Sequence, residues 1–289
     1  MLKPLIKAMR PRQWTKNGFV FFALIFDKQL FLIKPFIRTV EGFALFCLIS
    51  SAVYLFNDIA DVEADRNHPE KKFRPIASGK LSIPVALTAA WILTFIATVI
   101  GYLLSPMFAF FLALYLVTNL LYSRWLKHIS ILDVLIVSSG FVLRVAAGVA
   151  LITVERFSPW LYIVTVLFSL YIGLGKRRAE MNLLADHAAT HRKVLEGYTI
   201  PLLDQYITIV SSTTIIAYSL YTFSAPNLPS NHTMMLTIPF MVYGIFRYLQ
   251  LIQIGHAAGA PDEVALKDRP LQITVLLWGL TVIGVFYLS

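Results

Sequence analysis

Long apolar stretches recur along the whole sequence, and they restrict the fold more than any other feature. A helix that crosses the hydrocarbon core of a bilayer needs about 20 mostly apolar residues. Hydrophobic residues make up 57% of the 289 residues and charged residues only 14%, which excludes a soluble domain of this size. The chain is therefore predicted to be an all-α integral membrane protein. Its nine predicted spans lie near residues 16 to 33, 38 to 60, 82 to 104, 106 to 123, 131 to 152, 158 to 175, 200 to 223, 233 to 255 and 269 to 288.

The lysines and arginines gather at one set of span ends. Most of the 25 lie before the first span or after the second, fourth, sixth and eighth spans. Basic connections face the cytoplasm, so the N-terminus is predicted inside and the C-terminus outside a bacterial-type inner or plasma membrane. The net charge of +9 does not indicate nucleic-acid binding, because the basic residues form no patch on a polar domain.

The organisation of the chain is simple. Residues 1 to 15 mix apolar and basic residues without a long apolar core, which predicts an interfacial segment on the bilayer surface. No polar domain or long linker interrupts the remaining sequence. Residues 1–289 are therefore predicted to form a single transmembrane domain.

A dense group of charges follows the second span. On a helix, Asn57, Asp58, Asp61 and Asp65 fall within an arc of roughly 100°, whereas Glu63 points away. Carboxylates this close repel each other unless a cation lies among them, and oxygen ligands suit Mg²⁺, which recruits substrate phosphates. The alternative is a hydrated acidic helix end, but ionisable groups at the mouth of a membrane helix are usually functional. The bases that could hold a diphosphate are Lys71, Lys72, Arg74 and Lys80.

These residues also carry a resemblance. Asn57, Asp61 and Asp65, with Asp58, match the first aspartate-rich motif of the UbiA superfamily of intramembrane prenyltransferases, and Arg74-Pro75 with Ser78-Gly79 matches its RP-x-x-x-G continuation. The chain resembles that superfamily over nearly its whole length. The resemblance implies a nine-helix bundle around a central cavity that opens to the cytoplasm. It also implies Mg²⁺ as the cofactor, and catalytic roles for Asp58, Asp61, Asp65 and Arg74.

The octapeptide RPRQWTKN, residues 10 to 17, precedes the first span. A basic cluster with a tryptophan at this position usually anchors in lipid headgroups. Lys16 and Asn17 add directed hydrogen-bonding groups, which anchoring does not need. The octapeptide resembles the start of one UbiA branch, the decaprenyl-phosphate phosphoribosyltransferases, which join phosphoribosyl diphosphate to a polyprenyl phosphate. A substrate-phosphate role for Lys16 and Asn17 and an anchoring role both remain open.

The sixth span ends in GLGKRRAEMN, residues 173 to 182. Lys176, Arg177 and Glu180 share one face if the helix continues. Most members of the superfamily place a second aspartate-rich motif here, and this chain departs from that pattern. A mostly basic motif suits a substrate with additional anionic groups, and it resembles the KRR-x-E motif of the phosphoribosyltransferase branch. A cytoplasmic anchor would explain Arg178 but not Glu180.

Three further polar residues are candidate substrate contacts. Arg144 lies within a span, eleven residues after Asp133 and about 16 Å from it along the helix axis, so the two cannot pair directly. Arg144 must find another anion, either in a structural ion pair or on a ligand. Tyr198 lies in a connection, residues 192 to 206, that could cap the site. Asp204, one turn into the seventh span, needs a partner or a cation.

The motifs and the resemblance together predict a Mg²⁺-dependent transferase that acts on phosphoribosyl diphosphate and a polyprenyl phosphate lipid. One alternative is a prenyl-diphosphate transferase with an aromatic or other small acceptor, for which a second acidic motif would be expected. Another is a transporter or membrane scaffold, whose acids would be expected nearer the middle of the membrane. The sequence is compatible with a homo-oligomer and indicates no nucleic-acid partner.

Overall fold

The computed structural model describes residues 2–154, 158–186, 193–225, 228–254 and 267–288, and every regular element in these ranges is helical. The α-helices are α1 (Leu2–Ala8), α2 (Phe22–Phe26), α3 (Ile33–Ala60), α4 (Val62–Arg66), α5 (Ile83–Leu104), α6 (Pro106–Arg124), α7 (Leu132–Val149), α8 (Pro159–Asp186), α9 (Ile200–Ser224), α10 (Ile238–Ile254) and α11 (Arg269–Tyr287). Short 3₁₀ helices cover Pro11–Phe21, Lys71–Phe73, Leu126–His128, Lys193–Gly197 and Thr233–Thr237. Residue 192 of the predicted connection lies outside the described ranges.

Eight helices in the described ranges are long and apolar enough to cross a membrane. They are α3, α5, α6, α7, α8, α9, α10 with its preceding turn, and α11, and they correspond to the second to ninth predicted spans. The first predicted span, residues 16 to 33, differs from its prediction. The chain there forms the 3₁₀ helix Pro11–Phe21 and then α2, which ends at Phe26 before Lys28 adopts a left-handed conformation with φ of 56°.

The segment from Pro11 to Phe26 lies along α3. Arg10 contacts Asp58 near one end, and the rings of Phe21 and Phe43 lie 5.7 Å apart further along. Between these contacts, eleven residues of the segment run beside fifteen residues of α3. A 3₁₀ helix rises about 2.0 Å per residue and an α-helix about 1.5 Å, so both paths measure roughly 22 Å. The 3₁₀ conformation therefore lets a short segment follow a longer helix.

The chain divides into two compact units. The first contains residues 1–126 and 143–154, and the second contains residues 127–142 and 155–289, so the division falls within α7. The prediction that the whole chain forms one domain stays a prediction.

In the first unit, α3 packs against α5, α6 and the 3₁₀ helix Pro11–Phe21. Its core includes Phe46, Phe108 and Leu112, all fully buried. A Cβ on Gly148 would collide with the backbone carbonyl of Val20, so this glycine permits the close approach of α7 to the 3₁₀ helix.

In the second unit, α8 packs against α9, and α10 packs against α8, α9 and α11. Tyr171, Leu203 and Ile245 are among its buried core residues. Thr199 caps α9 and Asp268 caps α11 through side-chain oxygens that accept backbone N–H groups, each with a proline in the first turn. These signals fix where two of the helices begin.

Candidate active site

In the first unit, the end of α3 carries a cluster of two acids and two arginines. We call Arg10, Asp58, Asp65 and Arg74 the Asp58 cluster. Arg74 Nη1 donates to Asp65 Oδ2 at 2.6 Å and to Asp58 Oδ1 at 3.2 Å. Arg10 Nη2 also donates to Asp58 Oδ1, and its guanidinium lies 4.8 Å from the centroid of the Tyr54 ring. Both carboxylates are buried, at 2% and 3% exposure, and both arginines remain partly exposed.

The aspartate-rich motif lies across the junction of α3 and α4. Asp61 occupies the junction, and the hydrogen bonds Asp61 N to Asn57 O and Asp65 N to Asp61 O continue the helical spacing across it, at 2.9 and 2.8 Å. The four predicted ligands therefore keep roughly the spacing that they would have on one uninterrupted helix. Glu63 points away, as predicted, and pairs with Arg66 at 2.8 Å on the surface.

The loop after α4 brings one of its bases inward. Arg74 turns toward the acids, whereas Lys72 is exposed and its ammonium group lies 5.3 Å from the centroid of the Phe73 ring. Leu81 N donates to Pro75 O at 2.9 Å, which closes the loop, and Gly79 supplies its left-handed residue with φ of 75°. Lys72 thus lies at the surface, two residues before Arg74 of the Asp58 cluster.

Asn17 and Arg144 form a second buried network in the first unit. Arg144 Nε donates to Asn17 Oδ1 at 2.8 Å, and its Nη2 donates to the Tyr115 hydroxyl at 3.0 Å. The Asn17 amide nitrogen donates to Ser50 Oγ and to the Cys47 sulfur. Both ends of the Asn17 amide are therefore engaged within the protein.

The predicted substrate contacts of Asn17 and Arg144 fall in this network, and they stay predictions. Asn17 is fully buried and Arg144 is 5% exposed, and one hydrogen bond joins them. This bond connects the 3₁₀ helix Pro11–Phe21 to α7. Lys16, their neighbour in the motif, is half-buried. Trp14 Nε1 donates to Ser51 Oγ at 3.0 Å, so this ring packs on α3.

In the second unit, a buried acid holds the basic motif of α8. We call Asp133, Arg177, Glu180 and Tyr198 the Asp133 cluster. Asp133 is fully buried, and it accepts from Arg177 Nε at 2.5 Å and from the Tyr198 hydroxyl at 2.7 Å. Arg177 Nη1 donates to Glu180 at 2.5 Å. The cluster therefore joins the start of α7, the end of α8 and the segment before α9.

The Tyr198 hydroxyl is held from two sides. It donates to Asp133 and accepts from the backbone N–H of Ile131, at 2.6 Å. Burial, together with the hydrogen bond to the Asp133 carboxylate, raises the pKa of Tyr198 above its usual range. Tyr198 therefore links Asp133 to the backbone of Ile131 through its hydroxyl group.

The other two basic residues of the motif, Arg178 and Lys176, differ in their contacts. Arg178 donates to Asp204 at 2.5 Å and to the Ile252 carbonyl at 3.0 Å, so Asp204 has the partner that its position requires. Lys176 is half-buried, and no ion pair joins it to the described residues. Arg177 and Tyr198 are buried and contact Asp133. The predicted substrate contacts of Lys176, Arg177 and Tyr198 stay predictions.

A model of the UbiA prenyltransferase family matches residues 19–262. The chain belongs to this family. The matched range contains both charged motifs, and the resemblance to the UbiA superfamily seen in the sequence is confirmed.

Relatives within the UbiA family extend over nearly the whole chain. A decaprenyl-phosphate phosphoribosyltransferase from Mycolicibacterium smegmatis is 37% identical over 100% of this chain and 94% of its own length. A protein of the same name from Mycobacterium tuberculosis is 36% identical over 96% of this chain and 92% of its own length. Among solved structures, a UbiA homolog from Archaeoglobus fulgidus bound to DMAPP and Mg²⁺ aligns with a TM-score of 0.73. That alignment covers 99% of each chain at 15% identity, and it bears out the helical UbiA fold.

The donor set of the first motif suits a divalent cation in its chemistry. Asn57 Oδ1 is buried and has no hydrogen-bond partner among the described residues, and Asp61 and Asp65 add carboxylate oxygens. In the described part of the chain, however, no three acids, histidines or cysteines are grouped closely enough to hold a metal. In the Asp58 cluster, Arg10 and Arg74 donate to carboxylate oxygens of Asp58 and Asp65. Asn57, Asp61 and Asp65 carry oxygen ligands of the kind that Mg²⁺ prefers.

Arg10 of the Asp58 cluster and Asp133 of the Asp133 cluster were not predicted as site residues from the sequence. Arg10 was part of a basic motif, and Asp133 appeared only as an acid too far from Arg144. Asp133 did carry a signal, because an ionisable residue at the start of an apolar helix needs a partner. Its partner Arg177 is 44 residues away in sequence, which helical periodicity cannot reveal.

Proposed function

We propose that this protein transfers 5-phosphoribose from phosphoribosyl diphosphate to a polyprenyl phosphate, with release of diphosphate. The observation that carries the proposal is the identity of 35–37% with UbiA-family relatives named for this transfer, over nearly the full length of this chain. The motifs RPRQWTKN and KRR-x-E agree with it. The length and saturation of the polyprenyl chain are left open by the proposal.

The second unit supports this donor over a prenyl diphosphate. Among the described residues of this unit, the acids near the basic motif are paired with its arginines: Asp133 and Glu180 contact Arg177, and Asp204 contacts Arg178. The basic motif instead offers Lys176. A cation at this position suits an extra phosphate group, either the 5-phosphate of the donor or the phosphate of the lipid.

The proposed reaction is a substitution at the anomeric carbon of ribose. The bond from this carbon to the diphosphate breaks as a new bond forms to a phosphate oxygen of the lipid. The lipid phosphate is already anionic, so the protein needs no strong general base, and its contribution is positioning and electrostatics. A Mg²⁺ ion held by Asn57, Asp61 and Asp65 would supply positive charge to the departing diphosphate.

The chain's own bases complete this role in the proposal. Arg74 and Lys72 share the charge of the diphosphate, and Asp58 keeps Arg74 beside the motif. Lys176 binds the additional phosphate, and Lys16 is a second candidate for that contact. The polyprenyl tail remains in the hydrocarbon phase, where the long apolar helices also lie.

We further propose that the chain crosses the membrane nine times, with the acidic motif on the cytoplasmic side. The 3₁₀ helix Pro11–Phe21 rises about 22 Å and α2 adds about 7 Å, which together approach the roughly 30 Å of a bilayer core. A ninth crossing places the N-terminus inside and the C-terminus outside, in agreement with the distribution of basic residues.

A substrate panel tests the proposed activity. The purified protein, with Mg²⁺, would be given either phosphoribosyl diphosphate and polyprenyl phosphate, or a prenyl diphosphate and a small aromatic acid. We expect lipid-linked phosphoribose from the first pair and no product from the second. Turnover of the second pair alone would overturn the phosphoribosyl donor while leaving the UbiA fold intact.

A further inference from the structure

The two arginines of the Asp58 cluster balance the charges of its two acids. Asp58 and Asp65 carry two negative charges, and Arg10 and Arg74 carry two positive charges. One nitrogen of Arg74 serves both carboxylates, at 3.2 Å and 2.6 Å. Arg74 therefore occupies an oxygen of Asp65, which is one of the groups that a divalent cation would need.

Adding a divalent cation at Asp65 while Arg74 stays in place would set two positive groups on one carboxylate. At a separation of about 4 Å and an effective dielectric constant near 20, two unit charges already repel by about 4 kcal/mol. This repulsion favours departure of Arg74 from Asp65 when a cation binds there, although the second oxygen of Asp65 is not used by Arg74. Asp58 offers Arg74 a second contact, and Arg10 on the same oxygen leaves Asp58 poorly suited to bind metal.

We infer that Arg74 exchanges its partner when the metal binds. Arg74 stabilises the buried Asp65 through the contact described above, and metal binding displaces it from Asp65 and frees its guanidinium for a substrate phosphate. Asp58 is then a positioning residue that retains Arg10 and Arg74 near the motif. This inference rests on the proposed function, because it takes the metal and the diphosphate from it.

If Arg74 exchanges partners, its removal should change the affinity for metal and the affinity for diphosphate in opposite directions. Removing Arg74 eliminates a competitor for Asp65, so metal should bind more tightly in the absence of substrate. The same change removes a phosphate contact, so diphosphate should bind more weakly. A residue that merely supports the fold would weaken both, which separates the two accounts.

The experiment uses the purified full-length protein and two probes. The affinity for Mn²⁺ alone is measured by electron paramagnetic resonance of the free ion, and the affinity for the magnesium complex of inorganic diphosphate is measured by calorimetry. In Arg74→Gln we expect at least about ten-fold tighter Mn²⁺ binding and at least about ten-fold weaker binding of diphosphate, the value of a charge-assisted contact. Arg74→Lys should fall between this variant and the wild type.

Three further variants make the result interpretable. Arg10→Gln removes the same charge, but Arg10 pairs with Asp58 and not with Asp65, so this variant should tighten Mn²⁺ binding by less than about three-fold. Glu63→Gln should leave both affinities unchanged, and Asp65→Asn should abolish Mn²⁺ binding. Unchanged or weaker Mn²⁺ binding in Arg74→Gln, or equal tightening in Arg10→Gln, would overturn the exchange. Absence of Asp65-dependent Mn²⁺ binding in the wild type would instead overturn the proposed metal site.

Discussion

Arginine and lysine have separate roles at the helix ends of this protein. Arg74, Arg177 and Arg178 hydrogen-bond carboxylates that are buried or half-buried. Lys72 and Lys176 make no ion pair with the described residues. The planar guanidinium can serve two acceptors at once, whereas an ammonium is a compact, mobile charge. The lysines can therefore meet a substrate phosphate without disturbing a buried carboxylate.

Asp61→Asn and Asp65→Asn should each abolish transfer, because each removes a carboxylate from the proposed cation site. Activity would be measured with Mg²⁺ as the only divalent ion, alongside thermal unfolding to show that the variants fold. Glu63→Gln is the matched control, since its side chain is exposed and paired with Arg66. Near wild-type turnover by either aspartate variant would contradict the metal assignment.

Lys176→Met should weaken substrate binding, whereas Arg177→Met should lower the stability of the fold. The first should weaken substrate binding by about 1.5 to 3 kcal/mol, which is roughly ten-fold to more than a hundred-fold, with unfolding almost unchanged. The second should destabilise the protein by about 3 to 5 kcal/mol, because it leaves Asp133 buried without its cation. Binding assays and thermal unfolding distinguish the two. A strongly destabilised Lys176→Met would show that this lysine is structural.

Sequence reasoning located the charged motifs but not their partners. The helical phase placed Asn57, Asp58, Asp61 and Asp65 together and Glu63 apart, because that relation is local. The contact of Arg10 with Asp58 joins residues 48 apart, and that of Arg177 with Asp133 joins residues 44 apart. Such contacts depend on how helices pack, so the sequence could not show which bases were already engaged.

At the scale of the elements, the 3₁₀ helix Pro11–Phe21 is the least expected part of the fold. Apolar stretches predicted eight of the spans well, since length and hydropathy decide them. The first stretch is interrupted by Asp27 and Lys28, and its shortage of residues is met by the larger rise of the 3₁₀ conformation. Hydropathy alone cannot distinguish these two helical forms. The close packing at Gly148 helps to hold this segment in place.

Gly148→Ala should therefore destabilise the protein by about 1 to 3 kcal/mol, because the new methyl group meets the rigid backbone of Val20. Gly284→Ala is the control, since nothing lies within 4 Å of the position that its Cβ would occupy. Alanine is favoured over glycine in a helix interior, so this variant should be neutral or more stable by up to about 1 kcal/mol. Thermal unfolding in detergent would test both, and equal stability of the two variants would contradict the described packing.

At the scale of the whole molecule, the proposed topology makes a simple prediction. With nine crossings, the two termini lie on opposite sides of the membrane, whereas eight crossings would place them on the same side. Lys3→Cys and Leu288→Cys would each be treated with a membrane-impermeant maleimide, in intact spheroplasts and in inverted vesicles. We expect labelling of Leu288→Cys only from outside and of Lys3→Cys only from inside. The native Cys47 is buried, so the wild type provides the background.

The central claim is that this UbiA-family protein moves phosphoribose, and not a prenyl group, onto its acceptor. A donor labelled with ¹⁴C in the ribose and ³²P in the β-phosphate tests it most directly, in the presence of polyprenyl phosphate and Mg²⁺. We expect ¹⁴C to enter the lipid phase while an equal amount of ³²P appears as free diphosphate in water. Both labels remaining together in unreacted donor, or both entering the lipid, would contradict it.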